Sequence, residues 1–511
     1  MHSKDFRLTA CVIVLIVTTA VQAQDKPAPS VAPNISAPSW RPAAADPGAI
    51  NLWLRELAPA LTEWDLGVQF RARVEHAESL DAPGAEGIDA KHGPVDFRKN
   101  GGDANNDRVL FRELFHVGYS PVSWATFYVE GRDSSSIGDD RKPSPDADEF
   151  DLHQGYIRLG DPKLFPITAK VGRQELIYGD ERLIGASDWT NQKRTFDAAK
   201  LRYETDDLWV DAFVARPVIT WEDHFNESND YDWLSGIYAS STTLIPVQES
   251  QLYLLSRNSS AGSPQFYGPS PDPQGASARD IYTIGTRFKS LPGKLAGWDY
   301  TTEAAGQFGD FKETAKPAPA SVAGKRLSQL AYAAAVSGGY TWTQQVYTPR
   351  VALEYVYSSG DSDPTDGTHG TFDNLFPTNH RQYGIMDLFS WQNVQNLHIS
   401  TSVRPSKVFT VAADYRLYWL ADRHDSFYNN KGARRGGLAA TNGLGYGINP
   451  DNGSFLGSEI DLVATYTFHR YASVQGGIGH YFVGNYVSAS LAEVGGATDG
   501  NFIYAQLTLG F

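Results

Sequence analysis

The chain closes on a strict alternation: from Asn501 to Phe511, one face of an extended segment carries Ile503, Ala505, Leu507, Leu509 and Phe511, and the other carries Tyr504, Gln506, Thr508 and Gly510. One side is oily and the other wet. A segment of about ten residues with this pattern, tilted across a bilayer, puts lipid on one face and water on the other. Such a strand leaves its backbone satisfied only inside a closed sheet.

Composition agrees. Beyond the N-terminus no stretch approaches the roughly 18 apolar residues of a membrane helix, so a spanning chain of this kind spans as a barrel. The mean hydropathy of −0.36 fits staves that are only half apolar. A formal charge of −15 excludes nucleic acid as a partner, because phosphate binding needs a basic surface. At the N-terminus, Lys4 and Arg7 precede an apolar run from Leu8 to Val17 and a small-residue exit at Val21-Gln22-Ala23, a secretory signal with expected cleavage after Ala23. The tetrad Leu8-Thr9-Ala10-Cys11 has its cysteine ahead of most of the apolar run, which argues against lipidation. Cys11 is the only cysteine, so the mature chain has no disulfide and no thiolate metal site. Phe511 matches the terminal aromatic that the barrel assembly machinery reads, which makes that machinery and outer-membrane lipid expected partners.

Three regions follow: residues 1–23 as signal peptide, 24–63 as a Pro/Ala-rich periplasmic leader with a short helix, and 64–511 as the barrel. Leu52, Leu54, Leu57 and Leu61, interrupted by Pro59, predict that helix and its packing under the barrel mouth. From Trp64 onward, alternating segments are joined by connections that switch between short and long. Bacterial barrels have this asymmetry, with short periplasmic turns and long extracellular loops. The short turns fall at 120–123, 161–166, 205–207, 245–249, 291–297, 341–348, 404–406 and Arg470, and aromatics crowd them: Tyr119, Trp124, Tyr203, Trp209, Trp298, Tyr340, Trp342, Phe468 and Tyr471. Rings at this position suit a membrane-water boundary. The long connections include 77–107, 135–148, 177–194, 359–390 and 421–457. The fold class is therefore all-β, a transmembrane antiparallel barrel of about 18 strands. Its weakest hairpin pairs 236–244 with 251–257. Losing it leaves about 16 strands, still wide enough for an aqueous channel in place of a filled core.

Alternation also assigns faces. In the first strand Leu66, Val68, Phe70, Ala72 and Val74 face lipid, which turns Arg71, Arg73 and Glu75 inward. The same parity sends Arg112, Arg132, Arg158, Lys170, Lys200, Arg202, Arg350 and Arg416 into the lumen. Charges facing lipid would cost about 2–4 kcal/mol each near mid-membrane. Glu113 breaks the parity and is placed near a rim. The early strands form a basic sector, while Asp211, Glu354, Asp414, Glu459 and Asp461 weight the later ones with acid. Arginine forks match carboxylates, and numerous weak contacts let an anion move without being trapped.

The densest signal is 171–198, VGRQELIYGDERLIGASDWTNQKRTFDA, which leaves one strand, crosses a loop and returns at Phe196. Its features are Gly172-Arg173-Gln174, Tyr178-Gly179-Asp180-Glu181-Arg182-Leu183, Asp188-Trp189 and Arg194-Thr195-Phe196-Asp197. In these features the chain resembles the alginate export family of outer-membrane barrels, over about residues 64–511. The resemblance implies an eighteen-stranded fold, passage of an anionic uronic-acid polymer through an arginine-lined constriction, no chemistry on the cargo, and periplasmic export partners. From the residues themselves, Arg173, Arg182 and Arg194 are expected to be held by Glu175, Asp180, Glu181, Asp188 and Asp197, with Gly179 and Gly185 permitting turns, so that a stapled loop narrows the pore.

Other patterns are weaker. Asp361, Asp363, Asp366 and Gly367 lack the bidentate glutamate of a calcium loop. Gly443-Leu-Gly445-Tyr-Gly447 and Gly476-Gly477-Ile-Gly479 open no helix for phosphate. The twelve histidines are scattered, so no metal site and no cofactor is expected. The leading expectation is a passive channel for anionic polysaccharide. A porin for small anionic solutes is the alternative. A less favoured one is an outer-membrane enzyme using acids such as Asp180, Glu181 or Glu130, whose neighbouring carboxylates point apart in extended chain.

Overall fold

The computed structural model describes residues 48–80, 88–89, 93–94, 96–99, 105–141, 144–222, 224–260, 277–312, 321–435 and 445–511. The signal segment, most of the leader, Cys11 and Gly443 lie outside these residues. Among the described residues eighteen long strands form a closed antiparallel barrel. They are β1 Trp64–Glu78, β2 Asn106–Val122, β3 Ala125–Ile137, β4 Asp148–Leu159, β5 Ile167–Gln174, β6 Phe196–Glu204, β7 Leu208–Ile219, β8 Asp232–Ser241 and β9 Gln248–Ser259. The second half holds β10 Arg279–Ser290, β11 Trp298–Lys312, β12 Arg326–Thr341, β13 Arg350–Ser358, β14 Val394–Ser406, β15 Phe409–Leu420, β16 Phe455–His469, β17 Ala472–Val483 and β18 Gly500–Gly510. The hairpin expected to be weakest is present as β8 and β9.

Closure follows from the terminal alternation. β18 pairs with β1 from Gln69↔Gly510 to Glu78↔Asn501, and the Phe511 N–H donates to the Val68 carbonyl at 2.9 Å. No edge is left at this seam. Along β1, Arg71, Arg73 and Glu75 are buried inside while Val74 is 55% exposed outside. β12 shows the same division with apolar residues on both sides: Leu330, Tyr332 and Val336 are exposed, and the small Ala331, Ala333 and Ala335 are buried. Aromatics gather at the short turns, where Trp64 meets Tyr119 at 4.5 Å and Trp298 meets Tyr340 at 4.9 Å.

Three expectations are corrected. Glu113 does not sit at a rim: it lies mid-strand in register with Phe70 and Asp133, half-buried on the outward parity. The short helix, α1 Ala49–Leu57, has only Leu54 of its three leucines half-buried, and a polar residue ties it to β1. Its Asn51 donates to Asp65 Oδ1 at 2.6 Å and accepts from the Leu66 N–H at 2.8 Å, while Leu52, Trp53 and Leu57 are exposed. Asn51 thereby satisfies polar groups at the start of β1 that apolar side chains could not. The lumen, too, is not water-filled throughout. Toward the extracellular loops it holds a dry core in which Phe372, Phe376, Phe389, Trp391, Tyr418, Tyr446, Tyr481 and Tyr486 are buried. The reason lies in residues 359–393, 421–435 and 445–454, whose aromatics fold inward and pack on one another and on wall tyrosines, as Phe389 does on Tyr418 at 3.8 Å.

Candidate functional site

The motif loop, 175–195, turns into the lumen and travels around it. Tyr178 starts the circuit: its hydroxyl donates to Asp211 of β7 at 2.8 Å, and its ring stacks on Phe213 and Tyr238. Gly179 then adopts φ +58, which turns the chain where L side chains rarely go. Asp180 accepts from Arg287 of β10 at 2.6 and 3.0 Å and from Lys289 at 3.3 Å. Arg182 donates to Glu354 of β13. Burial alone would lower the Arg182 pKa, but the Glu354 charge raises it above the ordinary value.

Here a second loop meets the first. Residues 359–393 send a strand-like segment alongside, so that the Phe376 N–H donates to Leu183 O at 2.8 Å, Gly185 to Phe376 O at 2.9 Å and Thr378 to Glu181 O at 2.9 Å. A side chain at Gly185 would begin 2.2 Å from Thr378 Oγ1, so the close approach requires glycine there. Glu181 takes Arg381 and, at 2.6 Å, the Thr378 hydroxyl. Arg194 donates to the carbonyls of Gly185 and Pro377 at 3.2 and 2.7 Å. The second loop is itself anchored by Asp373, which accepts from Arg257 and Arg279.

The circuit closes on the first strands. Asp188 O accepts from Arg71 at 2.8 Å and Arg112 at 2.9 Å, and Thr190 O accepts from the same two arginines. Arg73 donates to Trp189 O at 2.8 Å and lies 3.8 Å over the indole, which also stacks on the His380 ring at 3.8 Å and meets Tyr504 edge-on at 4.9 Å. Burial would raise the Asp188 carboxyl, but Arg112, Lys193 and Arg71 hold it well below the usual range. Asn191 is fully buried and donates to the carbonyls of Phe111, Ser135 and Asp146. The two loops form one belt, tied to the wall on both sides.

The expected cations therefore divide by place. Arg71, Arg73 and Arg112 come together on the belt backbone. Arg132 pairs with Asp148, and Lys200 and Arg202 share Asp211. Arg416 joins Asp461 behind the second loop. Arg158, Lys170 and Arg350 lie half-buried toward the short-turn end, where Arg350 forks onto Asp299. Within the motif, Arg173 pairs with Asp197 as expected, but on the outward parity at the loop end of β5 and β6. Arg182 and Arg194 make their closest contacts beyond the loop's own acids. Their partners are Glu354 and two carbonyls, because a loop that enters a barrel meets wall groups from distant sequence. Gln174 is buried and donates to Ala198 O.

The acids weighed for catalysis are separately engaged, Asp180 by Arg287, Glu181 by Arg381 and Glu130 by Tyr128 and Gln154. Asp363 and Asp366 close turns on the N–H groups of Thr365 and Thr368. Among the described residues no group of three or more His, Asp or Glu is placed to hold a metal. Sequence reasoning missed the second loop, although Phe372, Leu375, Phe376, Leu388, Phe389 and Trp391 in a supposed exterior connection were a signal of inward folding.

Against known proteins, a family model described as alginate export matches residues 65–497. No curated protein matches the chain. Among solved structures, Pseudomonas aeruginosa OccK3 (OpdO) aligns with 11% identity and a TM-score of 0.52, covering 90% of this chain and 99% of that one. Pseudomonas aeruginosa OpdQ aligns with 11% identity and a TM-score of 0.51, covering 88% and 98%. At these identities the likeness is one of fold.

Proposed function

Because this chain belongs to the alginate export family and folds as an outer-membrane channel barrel, we propose that it passes an anionic saccharide, an alginate-like uronic-acid polymer or its shorter relatives, along the early-strand face of the lumen. The observation that carries this reading is a row of like charges. Arg158, Lys170 and Lys200 stand in direct register across β4, β5 and β6, with Arg202 next to the row on β6. Like charges opposite one another destabilise a sheet. In ion-pair contact with this group stands Asp211, shared by Lys200 and Arg202. The surplus positive charge faces the bore, where a passing carboxylate would offset it. Contacts of this kind are individually weak and fade beyond about 8 Å at physiological salt, which suits passage over retention.

The belt narrows the route above this row, and cargo takes it along its own gradient. In this reading the exposed apolar girdle is seated in lipid, Phe511 is the residue met by the assembly machinery, and the leader faces periplasmic export proteins. Reversal potentials in planar bilayers under a salt gradient test the proposal. Anion preference is the expected result, and equal or cation-preferring permeability would overturn the electrostatic track.

A further inference from the structure

On the same wall, one cation is held differently from its neighbours. Lys170 makes no ion pair with a carboxylate among the described residues; its ammonium instead sits 3.6 Å over the ring of Tyr156. That ring is the end of a stack, with Tyr128 at 4.9 Å and 19° and then His116 at 5.4 Å and 24° from Tyr128. The stack is fixed at both levels. His116 lies across Gly67, where any side chain would begin 2.2 Å from the imidazole, and the Tyr128 hydroxyl donates to Glu130 at 2.9 Å. Glu130 also accepts from Gln154 at 3.0 Å, and Glu175, the other acid on this side, is held by Lys193 and by His153 at 3.1 Å. The acid on the far side, Asp211, is taken by Arg202, Lys200 and Tyr178.

We propose that Lys170 is the specificity-determining cation of the channel and that Tyr156 is its positioning residue. The inference rests on the anion-channel reading and deepens it. An aromatic face attracts an ammonium without cancelling its charge, whereas a carboxylate partner would neutralise it. Parked on Tyr156, Lys170 has no carboxylate in ion-pair contact to neutralise it and is held at a fixed place between Arg158 and Lys200, in reach of a carboxylate on a saccharide moving toward the belt. The paired Arg350, across the lumen, has no such surplus because Asp299 answers it.

The test is reversal potential and current block in planar bilayers, using oligogalacturonate as the anionic probe and maltohexaose as the neutral one. Each variant is first confirmed as a folded barrel by its heat-modifiable gel mobility. Lys170→Gln is expected to lower the anion-to-cation permeability ratio several-fold and weaken oligogalacturonate block about tenfold, with maltohexaose unchanged. Tyr156→Leu is expected to give an intermediate loss, and Tyr156→Phe, which keeps the ring face, to retain wild-type selectivity. Unchanged selectivity in Lys170→Gln, in a wild type that prefers anions, overturns the inference and leaves the channel reading standing. Equal losses in Tyr156→Phe and Tyr156→Leu overturn the positioning role. A wild type without anion preference overturns the anion-selective reading itself, and Lys170's role with it.

Discussion

The two sides of the inner wall hold the same belt by opposite chemistry. On β1 and β2, Arg71, Arg73 and Arg112 donate to the backbone carbonyls of Asp188, Trp189 and Thr190. Across the lumen, on β10 and β13, the contacts are ion pairs with loop side chains, Arg287 with Asp180 and Glu354 with Arg182. The first side grips chiefly the loop backbone, with Arg112 also paired to the Asp188 carboxylate and Arg71 to the Asn191 side chain, and does so redundantly, since Asp188 O and Thr190 O each accept from two arginines. The second side depends on matched charges, Asp180 with Arg287 and Lys289 at one anchor and Arg182 with Glu354 at the other. A basic sector in the sequence is thus largely a clamp for the loop, and only part of it remains for cargo.

The largest effect should come from removing the shared segment. Deletion of Ile184 to Thr190 takes away the pairing with Phe376 and the carbonyls gripped by Arg71 and Arg112, so single-channel conductance is expected to rise several-fold. Unchanged conductance would break the comparison, because neither side would then be holding a constriction. Next in size are substitutions on the matched-charge side. Asp180→Asn leaves the buried Arg287 without its main anion, a loss of about 3 kcal/mol for a pair of this kind, and hydrogen exchange across 178–184 is expected to accelerate. Arg182→Glu should act similarly and be rescued by Glu354→Arg. Arg71→Ala should do less, about 1 kcal/mol, since Arg112 still serves both carbonyls. No charge swap can rescue it, because its acceptors are two carbonyls and the neutral Asn191 amide.

The smallest effect concerns pH. Asp361, at the base of the second loop, is pushed up to about 7 by burial and by neighbouring Asp425, whose carboxylate accepts the Asp361 N–H at 3.0 Å. A carboxyl raised in the folded state contributes stability that is complete below the ordinary carboxylate range and is lost as pH rises through its folded value. Protection of residues 359–372 from hydrogen exchange is therefore expected to fall between about pH 5 and about pH 8 beyond the intrinsic rate change. Asp361→Asn should flatten that dependence while leaving the clamp on β1 and β2 untouched.

Strand number, parity and the position of most turns were legible because each strand in a barrel solves the same local problem. Val74 outward and Arg73 inward follow from a period of two, whatever the rest of the chain does. The turns 205–207 and 291–297 were readable to the residue for the same reason. The inward motif loop was legible from its density of charge and glycine. Its partners were not: nothing near Arg182 in sequence points to Glu354, and nothing near Lys170 marks Tyr156 as the group beneath it. Contacts made across a lumen join residues far apart in the chain, and a single sequence carries no local trace of them. The dry extracellular end is not legible from the length and placement of the connections, and only the bulky Phe389 and Trp391 within one of them argue for inward folding.

The account turns on the claim that this barrel selects anionic saccharide. Purified protein in liposomes, challenged with fluorescent oligogalacturonate and with neutral maltohexaose of comparable length, measures that claim directly. Faster release of the uronate, with both sugars recovered chemically intact, is the predicted result. Equal release of the two, preference for the neutral sugar, or no release of either would contradict it.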